Sequence, residues 1–159
     1  MSSEVEIPVS FSLLLEGYDQ AFQRLKVARE TARTPQDAAR IYIPLLETLG
    51  WADVIEEWLS KKHGEGWVQK LPSDVHKLDE VVIGFRYARN VVHHNWQIAI
   101  EFDDLPELLG DWRWKEILFS ERNQPTNKAA YKNRMAKRAL RHTFKDLHKL
   151  YRHAEDTFA

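Results

Sequence analysis

Apolar residues recur every three or four positions along most of this 159-residue chain, and only six glycines and six prolines interrupt them. A spacing of three to four keeps one face apolar only on a helix, so the pattern commits the chain to helices packed on one another. The first helix is predicted from Ser10 or Ser12 to about Arg33, with Leu14, Leu15, Tyr18, Phe22, Leu25 and Ala28 inward. Thr34, Pro35 and Asp37 then read as a new start, because threonine can cap, proline suits the first turn and the acid complements the helix dipole. This second helix is expected to run through Pro44 and Gly50, with a kink or interruption there, and to stop before Gly64. A third is predicted from Val75 to Ile100, capped by Ser73 or Asp74, and a last one from Thr126 to His153. Between these two, Trp112 and Trp114 alternate around Arg113 as in a short strand or extended arm, either packed or open to stack on RNA bases.

At this length one domain spanning residues 1–159 is the simplest organisation. The chain has no cysteine, which excludes disulfides and thiolate metal sites. Its first residues, MSSEVEIP, carry acids where a secretory leader carries bases, and no apolar run is long enough to span a bilayer, so the expected setting is soluble and cytoplasmic. The net charge of −1 conceals an uneven distribution. Residues 1–64 hold ten acids and seven bases, 65–126 eleven and seven, and 127–159 three and nine. Lys132, Arg134, Lys137, Arg138, Arg141, Lys145 and Lys149 fall mostly on the outer side of the last helix, which suits a polyanion such as RNA. A solvated face balanced by acids elsewhere is the plainer alternative.

The third segment contains RYARNVVHHNW, residues 86–96. At 100° per residue Arg86, Arg89, Asn90, His93 and His94 share an arc of about 140°, opposite a core face of Val81, Phe85, Ala88, Val92 and Ala99. Arginine is a permanently charged fork suited to phosphate, and histidine exchanges a proton near neutrality. Together they can cleave RNA without a metal: an imidazole takes the 2′-hydroxyl proton, the oxygen attacks the adjacent phosphate, and the guanidinium stabilises the developing charge. Adjacent imidazoles diverge on a helix, so a metal site of His93 and His94 with Asp79 or Glu47 is not expected. The same polar face could instead contact acids of the second helix, Glu47 or Glu56.

Arg89, Asn90 and His94, with four residues between arginine and histidine, resemble the motif of the HEPN ribonucleases of toxin–antitoxin, CRISPR and other antiviral systems. The resemblance implies an all-α, HEPN-like helical bundle of about four to five helices forming a homodimer in which two motif copies meet. It also implies metal-independent, cofactor-free endoribonuclease activity, held in check by a partner such as a cognate antitoxin or inhibitor protein. On that reading Arg89, Asn90 and His94 are catalytic and Arg86 and His93 assist. Arg141 and His148, with six residues between them, also fit the family's range of four to six, but Arg141 lies on the basic face, where a structural or RNA-gripping role is simpler. Two rivals remain: a catalytically silent HEPN-like antitoxin, scaffold or RNA-binding module, and a helical DNA-binding regulator, the latter disfavoured by the lack of a short helix-turn-helix turn.

Overall fold

The computed structural model describes residues 8–103, 110–116 and 125–158. They form five α-helices, three short 3-10 turns and one two-stranded hairpin. Helix α1 (Phe11–Thr31) begins where the Ser10 hydroxyl accepts the Leu13 N–H at 3.2 Å, and it buries Leu14, Tyr18, Ala21 and Leu25. Residues 35–37 make a 3-10 turn before α2 (Ala38–His63). Thr34 spends its hydroxyl on the Asp37 carboxylate at 3.0 Å instead of capping a backbone N–H.

Helix α2 passes through Pro44 without ending, and Thr48 donates its hydroxyl to the Pro44 carbonyl at 2.7 Å. It stops at Gly64, whose φ of 90° is open to glycine at little cost. Trp58 stacks on Phe11, the indole of Trp51 fills the space beside Gly17, and Arg24 bonds Glu47. These pairs descend along one helix as they climb the other, so α1 and α2 are antiparallel.

Helix α3 (Asp79–His94) is shorter than the pattern predicts. Residues 73–78 wind as a 3-10 turn in which Ser73 caps nothing, and the chain leaves the helix after Asn95, whose N–H makes the last bond to the Val91 carbonyl at 3.1 Å. Trp96 then takes a left-handed φ of 56°. Ile100 therefore belongs to strand β1 (Ile100–Asp103), which pairs antiparallel with β2 (Asp111–Trp114), Ile100 opposite Trp114 and Phe102 opposite Trp112. The described residues are mostly helical, as expected of an all-α chain, with this small hairpin added; the short strand anticipated around Arg113 is its second arm.

The C-terminal segment is also two helices rather than one: α4 (Pro125–Arg134) and α5 (Leu140–Phe158). The N–H groups of Met135 and Ala136 both go to the Tyr131 carbonyl, and Lys137 adopts a φ of 64°. The link then lies along β2, with Trp114 N–H donating to Arg138 O at 3.0 Å and Lys137 N–H to Trp114 O at 2.9 Å. Strand-like pairing with the hairpin thus takes the backbone groups that helical propensity alone would have used internally.

The hairpin docks into the bundle through its tryptophans, both fully buried. Trp112 donates its indole N–H to Ala32 O at 2.6 Å, and Trp114 donates to Thr143 Oγ1 at 2.9 Å. Trp114 sits in an aromatic cluster with Phe85, Tyr131 and Phe144. An open arm stacking on RNA bases is ruled out by that burial. No helix among the described residues is long and apolar enough to cross a membrane.

Candidate functional site

Helix α3 lies antiparallel to α2, and the charged side chains of the two helices pair across the seam. Arg86 Nη2 bonds Glu56 Oε1, and Arg89 Nη2 lies 3.1 Å from Asp53 Oδ1. Contacts to α2 acids are therefore real, but Arg89 selects Asp53 and leaves Glu47 to Arg24. Burial pushes the Glu56 carboxyl up and the Arg86 bond pulls it down; the same bond raises Arg86 further. Burial also raises Asp79.

The five motif residues separate by depth. Asn90 is buried at 9% exposure, not presented on the surface with the arginine. His93 is half-buried and its Nε2–H donates to the Leu46 carbonyl at 3.2 Å, a bond that fixes the proton on Nε2 because a carbonyl only accepts. Burial lowers the His93 pKa and the Leu46 bond opposes that shift, with Arg89 adding to the lowering. The imidazole is thus an anchor between α3 and α2, helped by Tyr42, whose hydroxyl donates to Val92 O at 3.1 Å. His94 is exposed on the last turn, and its Nε2 stands 3.5 Å from Arg89 Nη1. A guanidinium only donates, so a hydrogen bond there requires His94 to accept at Nε2 and carry its proton on Nδ1.

The Arg89 side chain is 22% exposed. Asp53 holds one of its terminal nitrogens, the other faces His94, and the buried Nε has no hydrogen-bond partner. Beneath it a cavity of about 10 Å³, lined among others by Asp53, Glu56, Arg86, Arg89 and Tyr151, has room for no more than one water. Asp53 is the residue that sequence reasoning missed. Its signal was present, since Asp53 and Glu56 are three apart and face one side of a helix.

The basic residues are spread over two helices and the link between them rather than one helix. Lys132 and Arg134 are on α4, Lys137 and Arg138 in the link, and Arg141, Lys145 and Lys149 on α5. Arg134 bonds Glu80 at 2.9 Å, Lys137 lies 3.3 Å from Glu116, Arg141 bonds Asp111 at 2.7 Å and Arg138 donates to Asn133 O at 3.2 Å. Lys132, Lys145 and Lys149 are exposed. His148 is not an open member of that face: it packs edge-on to Phe22 and Tyr18, so the Arg141–His148 pair is not assembled as a site. Among the described residues no group of three or more His, Asp or Glu side chains could hold a metal ion.

No protein-family model, curated protein or solved structure matches the chain.

Proposed function

We infer that this protein is a metal-independent endoribonuclease of HEPN type whose site is built on the C-terminal turn of α3. The observation that carries the reading is the meeting of Arg89 and His94: a guanidinium held from behind by Asp53 and aimed at an exposed imidazole 3.5 Å away. In the reaction Arg89 Nη1 leaves His94 Nε2 for the phosphate, and the freed Nε2 lone pair takes the proton of an RNA 2′-hydroxyl. The freed oxygen attacks the adjacent phosphorus, and Arg89 stabilises the negative charge that grows on the phosphoryl oxygens. The 5′-oxygen leaves with a proton supplied by a second copy of the motif, and a 2′,3′-cyclic phosphate remains. Buried Asn90, like Arg86 and His93, positions the helix end rather than touching substrate.

The second copy belongs to the proposal because one helix end is too open to exclude water. In support, the residues immediately after the motif include Trp96, 78% exposed, and Ile98, 39% exposed, which a partner would cover. Exposed Lys132, Lys145 and Lys149 are the remaining candidates for guiding RNA, and an inhibitor protein is the partner implied by the family resemblance.

A silent module with the same fold is favoured by one observation, the pairing of both motif arginines with α2 acids, which by itself is an ordinary structural network. RNA turnover separates the two. The protein is incubated with mixed structured and single-stranded RNA in EDTA, beside Arg89→Lys and His94→Ala. Cleavage that leaves cyclic phosphate ends and is lost in both variants is expected. Intact RNA from a folded homodimer refutes the nuclease and leaves the silent module.

A further inference from the structure

Where other helices of this bundle meet, cations face acids: Arg24 meets Glu47 between α1 and α2, Arg86 meets Glu56 between α2 and α3, and Arg134 meets Glu80 between α3 and α4. The seam between α1 and α5 departs from that pattern. Its register is set by rings: Tyr18 lies 5.2 Å from both Tyr151 and His148, and Phe22 lies 4.3 Å from His148 and 5.5 Å from Phe144. One turn forward on α1 is thus one turn back on α5, and the two helices are antiparallel. Continued by the same steps, the register brings Lys26 level with Lys145 and Arg29 level with Arg141. Lys26 and Arg29 stand four and seven residues after Phe22, which keeps both on the α5 side of α1.

Arg29 registers this crowding of like charges. Burial lowers its pKa, Asp111 and Glu30 oppose the shift, and Arg141 and Arg33 add to it. Asp111 is already committed, accepting from Arg141 Nε at 2.7 Å and from the Trp112 N–H at 2.9 Å. Arg33 is pinned next to it by a bond to Gly110 O at 2.7 Å. Lys26, Arg33, Arg141, Lys145 and Lys149 are exposed and Arg29 is half-buried, so these charges are open to a ligand. Opposed cations repel, and a polyanion laid between them turns that repulsion into attraction. On α5 Arg141, Lys145 and Lys149 recur every four residues, about 6 Å apart along the axis. Packed helices have axes about 8–10 Å apart, so the groove between the two basic banks admits one sugar-phosphate backbone and not a duplex. We propose that the seam between α1 and α5 binds single-stranded nucleic acid by its phosphates, with Lys26, Arg29 and Arg33 on one bank and Arg141, Lys145 and Lys149 on the other. The inference concerns binding alone and does not depend on cleavage at Arg89 and His94.

The probe is a short, fluorescently labelled 2′-O-methyl oligonucleotide, which lacks a free 2′-hydroxyl and so cannot be cut by the chemistry above. Its anisotropy is followed with the full chain over a range of salt. Binding should weaken as salt rises, and the dependence of log affinity on log salt should flatten by about 1.4 in the double variant Lys26→Gln, Arg29→Gln, at about 0.7 per lost phosphate contact on a single strand. Affinity of that variant at low salt should fall about tenfold or more. Lys26→Gln alone, an exposed change that leaves the core untouched, should flatten the slope by about 0.7. Lys61→Gln with Lys62→Gln removes the same charge from the last turn of α2 and should leave slope and affinity near wild type. A duplex of the same sequence should bind more weakly than the single strand. The proposal is overturned if the strand does not bind at low salt, if both α1 variants bind like wild type, if the α2 control loses as much, or if the duplex binds as tightly.

Discussion

Replacing Trp114 by alanine tests whether the hairpin is a structural part of the bundle. The indole is fully buried against Phe85, Tyr131 and Phe144, and its N–H reaches Thr143 Oγ1 at 2.9 Å. A buried tryptophan removes about 200 Å² from water, which at roughly 25 cal/mol per Å² comes to about 5 kcal/mol. Measured losses for Trp or Phe to Ala in cores run about 3–5 kcal/mol. Thr143 adds no further penalty, since its hydroxyl still donates to Leu140 O at 3.1 Å. The expected cost is therefore about 3–5 kcal/mol, or roughly 6–20 °C in Tm for a domain of this size. Urea unfolding followed by far-ultraviolet circular dichroism reads it without relying on tryptophan fluorescence. Trp96→Ala is the control: at 78% exposure it should change stability by no more than about 0.5 kcal/mol. If Trp114→Ala costs under about 1 kcal/mol, or no more than Trp96→Ala, the docking argument is wrong.

Thr143→Val should cost about 1–3 kcal/mol, because it strands the Trp114 N–H in the core; denaturant midpoints check this. Gly17→Ala would place a Cβ within 2.4 Å of the Trp51 ring, and the overpacking, about 1–3 kcal/mol, should outweigh the roughly 1 kcal/mol gained in helix propensity. His148 has its pKa lowered by burial, so at and below its unfolded value near 6.5 the unfolded chain binds more protons than the folded one. Stability should accordingly fall as pH drops from 7 toward 5, and the difference between wild type and His148→Gln, measured across that window, should shrink or reverse with acid. A flat difference would contradict a buried neutral imidazole. If the basic side chains guide RNA, replacing Lys132, Lys145 and Lys149 together by Gln should flatten the dependence of log affinity on log salt by up to about 2–3, and an unchanged slope removes them from the interface.

The helical core was readable because its cause is local. In α1 the inward residues predicted from spacing include Leu14, Tyr18 and Leu25, which are buried, and the Ser10 cap stands where its hydroxyl can meet an early N–H. What spacing could not supply were the ends of α3 and the break between α4 and α5. Trp96 and Lys137 both enter left-handed backbone, and neither residue type favours it; the hairpin beside them takes up backbone groups that a continued helix would have used. The pairing of Arg86 and Arg89 with α2 was half visible. An arc of cations implies acids opposite, but which acids depends on the register between helices, and register placed Asp53 and Glu56 there rather than Glu47. Asn90 was misplaced for a similar reason: an angular wheel assumes one core side, whereas α3 is covered by α2, α4 and α5 together.

The indole of Trp112 bonds a carbonyl eighty positions earlier in the chain, and Arg33 reaches Gly110 O in the same way. A ribosome adding about 5–20 residues per second delivers Ala32 several seconds before Trp112. Through that interval the nascent α1–α2 pair lacks the hairpin that covers its turn, and Trp114 then waits for Thr143 on the last helix. Completion of the fold is therefore a late event in synthesis, and a chain released early would leave the α1–α2 hairpin made but unsealed.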